Sequence, residues 1–381
     1  MNLDLDDTTL AIRREAAEFA RDTLNEGFSA REHAAEFSRT GWQQCAEFGV
    51  QGLPFPAGYG GSEADVATTM LAMEGLGYGC EDAGLLFGIN AQMWSVQMPI
   101  SIFGTEAQKR RYLPALCEGR IIGGHGMSEP DSGSDAFSMR TSARRDDDHW
   151  LLNGAKTFVT NAPVADVFVV FANTDPRGGV LGISAFLIDR ETPGFSVGRK
   201  IGKLGLKTSP MAELALQDCR LPADSLLGEV GQGATIFNSS MEWERGCILA
   251  TNLGIMQRQL EGCIRYAEAR SQYGRAIIEF QAIERKIADM ATRIEAGRQL
   301  LYRVAWAKQS GMDAVLYAAA AKLYLSEAAI QSSLAAVQIH GGYGFTTDFA
   351  PERELRNAVG GTLYSGTTEI QKNIIAQRLG L

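Results

Sequence analysis

The sequence predicts an α+β fold in three parts: a helical domain over residues 1–122, a β-domain over 123–227 and a four-helix bundle over 228–381. Three observations point to it. In the first and last parts, apolar residues recur at three- and four-residue steps, as on one face of a helix. Near Gly123 the pattern changes to short strand-like runs broken by turn residues. No repeat or low-complexity linker interrupts the 381 residues, a length that suits about two or three domains at roughly 150 residues each.

In chain order, Asp6 or Asp7 is placed to cap a first helix whose apolar face is marked by Leu10, Ala17, Ala20 and Leu24. Glycines and prolines make 49–61 a loop. Helical texture returns over 64–75 and 85–103, and Thr105 with Gln108 reads as a capping box for the next helix. The clearest strands are 150–152, 167–172, 183–188 and 213–216, with a plain turn at 175–179. Short strands at this spacing suggest a small barrel or sandwich. After Gly231 the chain is helical again. One long helix is predicted up to about Arg270, and Ile283, Ile287, Met290, Ile294, Leu301 and Val304 trace the next stripe. An alanine-rich helix over 316–339 ends at Gly341 and Gly342, a natural cap. Three long helices and a terminal one make the bundle.

Composition narrows the function. Apolar residues are 45% and charged residues 21% of the chain, ordinary for a soluble globular protein. A net charge of −9 argues against nucleic-acid binding through phosphate contacts. No apolar run approaches the roughly 20 residues that span a bilayer. The acidic start, MNLDLDD, lacks a basic-then-apolar signal, so a cytoplasmic protein is expected. The cysteines at 45, 80, 117, 219, 247 and 263 form no CxxC pair and the four histidines are scattered. Buried free thiols are expected, and no metal site.

The stretch NSSMEWERG, 238–246, opens the long helix of the last part. Glu242 and Glu244 lie two apart and face different directions. Whichever turns inward costs free energy unless it is paired, neutral or catalytic. Taken alone, the stretch is better read as two solvated acids on a first helical turn, where the dipole favours them.

Five further stretches have polar, glycine-rich or aromatic character. MSEPDSGSD, 127–135, offers N–H groups and hydroxyls to a heteroatom-rich ligand, or is an ordinary helix-to-strand turn. KTFVTN, 156–161, puts an aromatic and two hydroxyls on or beside a strand. RSQYG, 270–274, followed by Gln281, brings an arginine that could meet phosphate. QIHGGYG, 338–344, lacks the full GxGxxG of a dinucleotide fold but allows close backbone approach. LYSGTTEIQ, 363–371, turns into the last helix with Thr367 as N-cap, leaving N–H groups free for an anion.

Together with FGTEAQKRRYLP, 103–114, these stretches resemble the acyl-CoA dehydrogenase family of flavoproteins, in the family's order and over essentially the whole chain. The resemblance implies a helical, a β-barrel and a bundle domain, a homotetramer, and FAD between the β-domain and the bundle, completed by a neighbouring subunit. Met127, Ser128 and Ser134 would meet the flavin region or substrate, and Phe158, Val159 and Thr160 would line the isoalloxazine ring. Arg270, Gln272, Tyr273 and Gln281 would serve the diphosphate and adenine side across a subunit interface. Gln338, Gly341 and Gly342 would approach the diphosphate, with Thr367 and Glu369 nearby.

The implied chemistry is α,β-dehydrogenation of an acyl thioester, in which a carboxylate removes the α-proton as the β-hydride passes to the flavin. Most members carry that base in a YEGT loop, but here the loop reads YSGT, with Ser365 in the glutamate's place. A serine hydroxyl is no base near neutral pH without an activator. A minority of the family has its base on the long helix in an LDLER-like context. MEWER, 241–245, matches that, selecting Glu244 as base, with Arg245 beside the site and the Ser365 N–H on the thioester carbonyl. Phe158 stands where the family usually has a tryptophan associated with electron exit, leaving an electron-transferring flavoprotein or dioxygen as oxidant.

EWERG, the YSGT loop and the ending QRLGL resemble a subgroup acting on aminoacyl groups tethered to carrier proteins in secondary metabolism, best known for oxidising L-prolyl to pyrrole-2-carboxyl. A short- or branched-chain acyl-CoA is the alternative, since both present a phosphopantetheine thioester. An inactive flavin-binding relative is the third reading.

Overall fold

The computed structural model describes residues 7–381. Asp6, one of the two candidate caps, lies outside the described residues. The N-terminal part contains α1 (Asp7–Thr23), α2 (Phe28–Ala34), α3 (Arg39–Glu47), α4 (Val66–Gly79), α5 (Ala83–Gln92), α6 (Met98–Phe103) and α7 (Glu106–Cys117). Ala17, Ala20 and Leu24 are buried as predicted, whereas Leu10 stays at the surface. Asp65 caps α4 by accepting from Thr68 N. This helix is apolar all round because it is packed on both sides, by α1 and by a helix of the bundle. Thr105 and Gln108 cap α7 reciprocally, as the spacing requires. The Gln108 amide also donates to Asp224 O at 2.8 Å and Leu226 O at 2.9 Å, fastening α7 to the β-domain. The predicted helix over 85–103 is divided: a π-helical turn, Met93–Gln97, separates α5 from α6.

The β-domain runs β1 (Gly123–Gly126), β2 (Ser142–Asp146), β3 (His149–Thr160), β4 (Val167–Asn173), β5 (Ile183–Asp189), β6 (Phe195–Lys200), β7 (Met211–Pro222) and β8 (Leu226–Leu227). Its order is β6-β7-β3-β2-β4-β5-β8, with β1 parallel on β4. The leaf containing β3 and β7 joins the leaf containing β4 and β5 through one residue pair of β2 and β4, Ser142 with Asn173. Strands β4 and β5 are buried on both faces, as their continuous apolar runs demand. Phe168 and Val170 join the core with Trp150 and Leu214, while Val169 and Phe171 face Tyr112, Leu113 and Leu116 of α7.

The last part contains α8 (Gly233–Cys247), α9 (Ala250–Ala269), the hairpin β9 (Ser271–Gln272) and β10 (Arg275–Ala276), α10 (Gln281–Gln309), α11 (Val315–His340), α12 (Ala350–Gly360) and α13 (Thr368–Arg378). Here one expectation is corrected: the single helix predicted up to Arg270 is two, broken at Ile248 and Leu249. The break lets α8 address the β-domain while α9 lies on α4. That second contact is backbone to backbone, since a Cβ on Gly77 would stand 2.0 Å from Thr251 O and one on Gly254 1.9 Å from Glu74 O. Helix α11 packs against α8, α9, α10, α12 and α13, so it too is apolar all round. It ends at Gly341 with φ 61°, the predicted cap. Among the described residues no helix is long and apolar enough to cross a membrane.

Candidate active site

A cavity of about 670 Å³ opens between the β-domain and the bundle. On α8, Phe237, Met241 and Glu244 line it at steps of four and three, one face of the helix. Glu242 therefore faces elsewhere and pairs with Lys308 at 2.7 Å, while that lysine lies over the Trp243 ring. Spacing separated the two acids, and packing made one a partly exposed ion pair and the other a buried carboxyl.

Glu244 is 7% exposed. The Ser365 hydroxyl donates to Oε1 and the Ser95 hydroxyl to Oε2. Burial pushes the carboxyl above its ordinary range, opposed by the two hydroxyls and by the charges of Arg245 and Lys322. Neither cation touches Glu244. Arg245 donates to Ser365 O at 3.0 Å, Lys322 to Gly366 O at 2.6 Å, and Gln371 to both carbonyls at 3.1 and 2.9 Å. These donors hold a turn that needs holding, since Ser365 has φ 57° and Gly366 φ 90°. Thr367 caps α13 directly after it, accepting from Ile370 N. Lys322 is fully buried, and burial brings its ammonium down to about 8.

Across the cavity lie His125, Met127 and Ser128 of β1 and its exit, Gly133 and Ser134 of the following loop, and Thr157, Phe158 and Thr160 of β3. A bulge in the pairing of β3 with β7 falls between Lys156 and Val159, and within it Phe158 takes φ 56° and stays 64% exposed. The bulge corrects one expectation. Phe158 and Thr160 reach the cavity, but Val159 is 2% exposed in the core opposite Ala212, so only its main chain remains for a ligand. The loop is anchored by the buried pair Glu129–Lys156 at 2.8 Å. His125 stacks on Phe237, and its Nε2 finds no partner among the described residues. Burial brings its imidazole down to about 4, so the ring is neutral.

The remaining predicted residues lie elsewhere. Arg270, Gln272, Tyr273 and Gln281 are exposed on the hairpin after α9 and the start of α10, with Tyr273 96% exposed. Gln338, Gly341 and Gly342 are exposed at the end of α11, and Tyr266 donating to His340 O at 3.2 Å brings the two groups to the same end of the bundle. Glu369 is exposed outside the cavity. Sequence reasoning missed Ser95, His125, Lys322 and Gln371. Gln371 alone stood within a stretch already singled out. Ser95 and Lys322 carried no local signal, because each lies within a long apolar helical run.

The cavity suits a flat heteroaromatic group. It pairs an unusually exposed aromatic, Phe158, with hydroxyls at Ser128, Ser134, Thr160 and Thr367, and a Cβ on Gly133 would meet nothing within 4 Å.

Comparison with known proteins follows the same order of domains. Family models described as acyl-CoA dehydrogenase N-terminal, middle and C-terminal domains match residues 6–120, 124–219 and 231–380. The chain is similar to an L-prolyl-(peptidyl-carrier protein) dehydrogenase of Pseudomonas fluorescens, 40% identical over 100% of both chains. Among solved structures it is similar to the prolyl acyl carrier protein oxidase AnaB, with a TM-score of 0.98 and 46% identity over 99% of this chain and 100% of that one. It is also similar to PigA with FAD and proline, with a TM-score of 0.98 and 39% identity over 100% of both chains.

Proposed function

The chain belongs to the acyl-CoA dehydrogenase family, and from that premise we propose that it dehydrogenates an L-prolyl thioester on a peptidyl carrier protein at the α,β-bond, towards pyrrole-2-carboxyl in secondary metabolism. The observation that supports this reading most is the buried Glu244 carboxyl in a cavity whose loop acid is replaced by Ser365. FAD is the cofactor, and when bound it supplies the acceptor for the hydride that leaves the β-carbon.

This chain's residues do the rest. Glu244 takes the α-proton, and its raised pKa suits a base working near neutral pH. The Ser365 N–H donates to the thioester carbonyl, where negative charge gathers as the proton leaves. Arg245, Lys322 and Gln371 hold the turn that follows this N–H, through the Ser365 and Gly366 carbonyls. Ser134 lies beside the thioester arm, and Met127, Ser128, Phe158 and Thr160 hold the ring region of the cofactor, with Thr367 and Glu369 near the last turn. Arg270, Gln272, Tyr273 and Gln281 serve the cofactor's diphosphate and adenine across a subunit interface of a homotetramer, and Gln338, Gly341 and Gly342 approach the diphosphate. Their distance from the cavity within one chain supports this. A prolyl thioester has one α-proton and a β-methylene, and reaching the pyrrole removes four hydrogens, so two oxidations are required. The oxidant is an electron-transferring flavoprotein or dioxygen, and the enzyme is cytoplasmic.

The test is anaerobic bleaching of the flavin. Prolyl-loaded carrier protein should bleach it much faster than prolyl-CoA or butyryl-CoA, because the carrier surface adds remote binding energy. Fast reduction by a simple acyl-CoA, with none by the loaded carrier, decides for an acyl-CoA dehydrogenase instead.

A further inference from the structure

The helical run from α5 to α6 loses its regular pitch at one place, the π-helical turn Met93–Gln97. Such a turn is rare and recurs where a side chain must be re-aimed at a site. Here the re-aimed side chain is Ser95, 2% exposed, whose hydroxyl donates to Glu244 Oε2 across 149 residues of sequence. The residue before each member of that pair makes a second contact: Trp94 stacks on Trp243 with ring centroids 6.0 Å apart and planes 3° from parallel. The Trp94 indole is itself anchored on Asn90 Oδ1 at 3.0 Å. Two successive contacts therefore set the register of the turn against α8.

We propose that Ser95 is a positioning residue for the base, holding Oε2 of Glu244 so that the carboxyl stays ionised and keeps one orientation while Ser365 exchanges its bond to Oε1 for substrate. The proposal rests on the reading of Glu244 as base. The groups facing that carboxyl make Ser95 unusual. Arg245 comes from α8, Lys322 from α11 and Tyr364 from the loop, and the Glu244 charge in turn raises the Tyr364 hydroxyl, after burial. Helices α5 and α6 and the turn between them contain no Asp, Glu, Lys, Arg or His. From that side the hydroxyl of Ser95 alone favours the charged form.

A hydrogen bond to a charged group is strong enough to move a titration by about 1–2 pH units. Single-turnover flavin reduction should be followed against pH in the FAD-loaded enzyme. Ser95→Ala should push the acid limb upward by that amount and keep the alkaline plateau. A ¹³C-carboxyl titration of Glu244 in the resting protein should move alike, independently of turnover. Ser95→Thr, which retains a hydroxyl, should leave the limb in place. If Ser95→Ala fails to fold, Ser95→Cys is read the same way, since a thiol is a weak donor. A uniform loss of rate with the limb and the carboxyl titration unmoved overturns the proposal and leaves Ser95 a packing residue. If Glu244→Gln still reduces its flavin, the base assignment fails instead, and the two failures are distinct.

Discussion

Glu129 and Glu244 are equally hidden, each 7% exposed, yet their acidities diverge. Burial opposes ionisation of both. At Glu129 it is overcome by the Lys156 ammonium at 2.8 Å and by the N–H groups of Arg140 at 2.6 Å and Thr141 at 3.0 Å, so the carboxyl titrates below its ordinary range. At Glu244 the only direct donors among the described residues are two hydroxyls, and burial prevails. Cations are at hand there too, but Arg245 and Lys322 are engaged by the carbonyls of Ser365 and Gly366. A carboxylate saturated by a lysine and two amides builds a loop. One whose cations stand a peptide away keeps lone pairs and a pKa fit for taking a proton.

The sharpest way to break this comparison is Glu244→Gln. Flavin reduction should fall by at least about 10²- to 10⁴-fold in stopped-flow experiments, with FAD content retained. In the unaltered enzyme protonated Glu244 cannot accept a proton. Its pKa is raised, so the reduction rate should climb with pH through a limb above the ordinary glutamate value of about 4.3. A limb at or below that value would put Glu244 in the same class as Glu129.

Glu129→Ala should act on stability instead. It strands a fully buried lysine, which typically costs about 3–5 kcal/mol. Urea unfolding would register that loss, and an unchanged midpoint would mean the pair contributes nothing.

His125 gives a third, smaller case, a group kept neutral chiefly by burial and secondly by the Lys156 charge. Its folded pKa is depressed to about 4 from 6.5, so its stabilising share is present above 6.5 and lost as pH falls towards 4. His125→Phe should flatten the fall in melting temperature across that window, by at most about 1.4 kcal/mol per pH unit in the underlying stability.

The smallest effect is expected at Glu242→Gln, where a partly exposed pair with Lys308 should be worth under about 1 kcal/mol and flavin reduction should be nearly unchanged.

Much of this was legible in the chain. Period alone separates the helical parts from the strands between them. Thr105 with Gln108, Thr367, and Gly341 are local devices, so their caps follow from a few neighbouring residues. Glu244 was set apart from Glu242 by a spacing of two on a helix and by the MEWER resemblance. What only the tertiary structure decided involves partners far apart in sequence or departures from a regular period. The π-helical turn aims Ser95 at a residue 149 positions on. The β3 bulge turns Phe158 outward and Val159 inward. The break at Ile248 and Leu249 splits one apolar stripe between two neighbours. The acidity of each carboxylate belongs here too, because it depends on which donors packing brings to its oxygens, and no local run of residues records that.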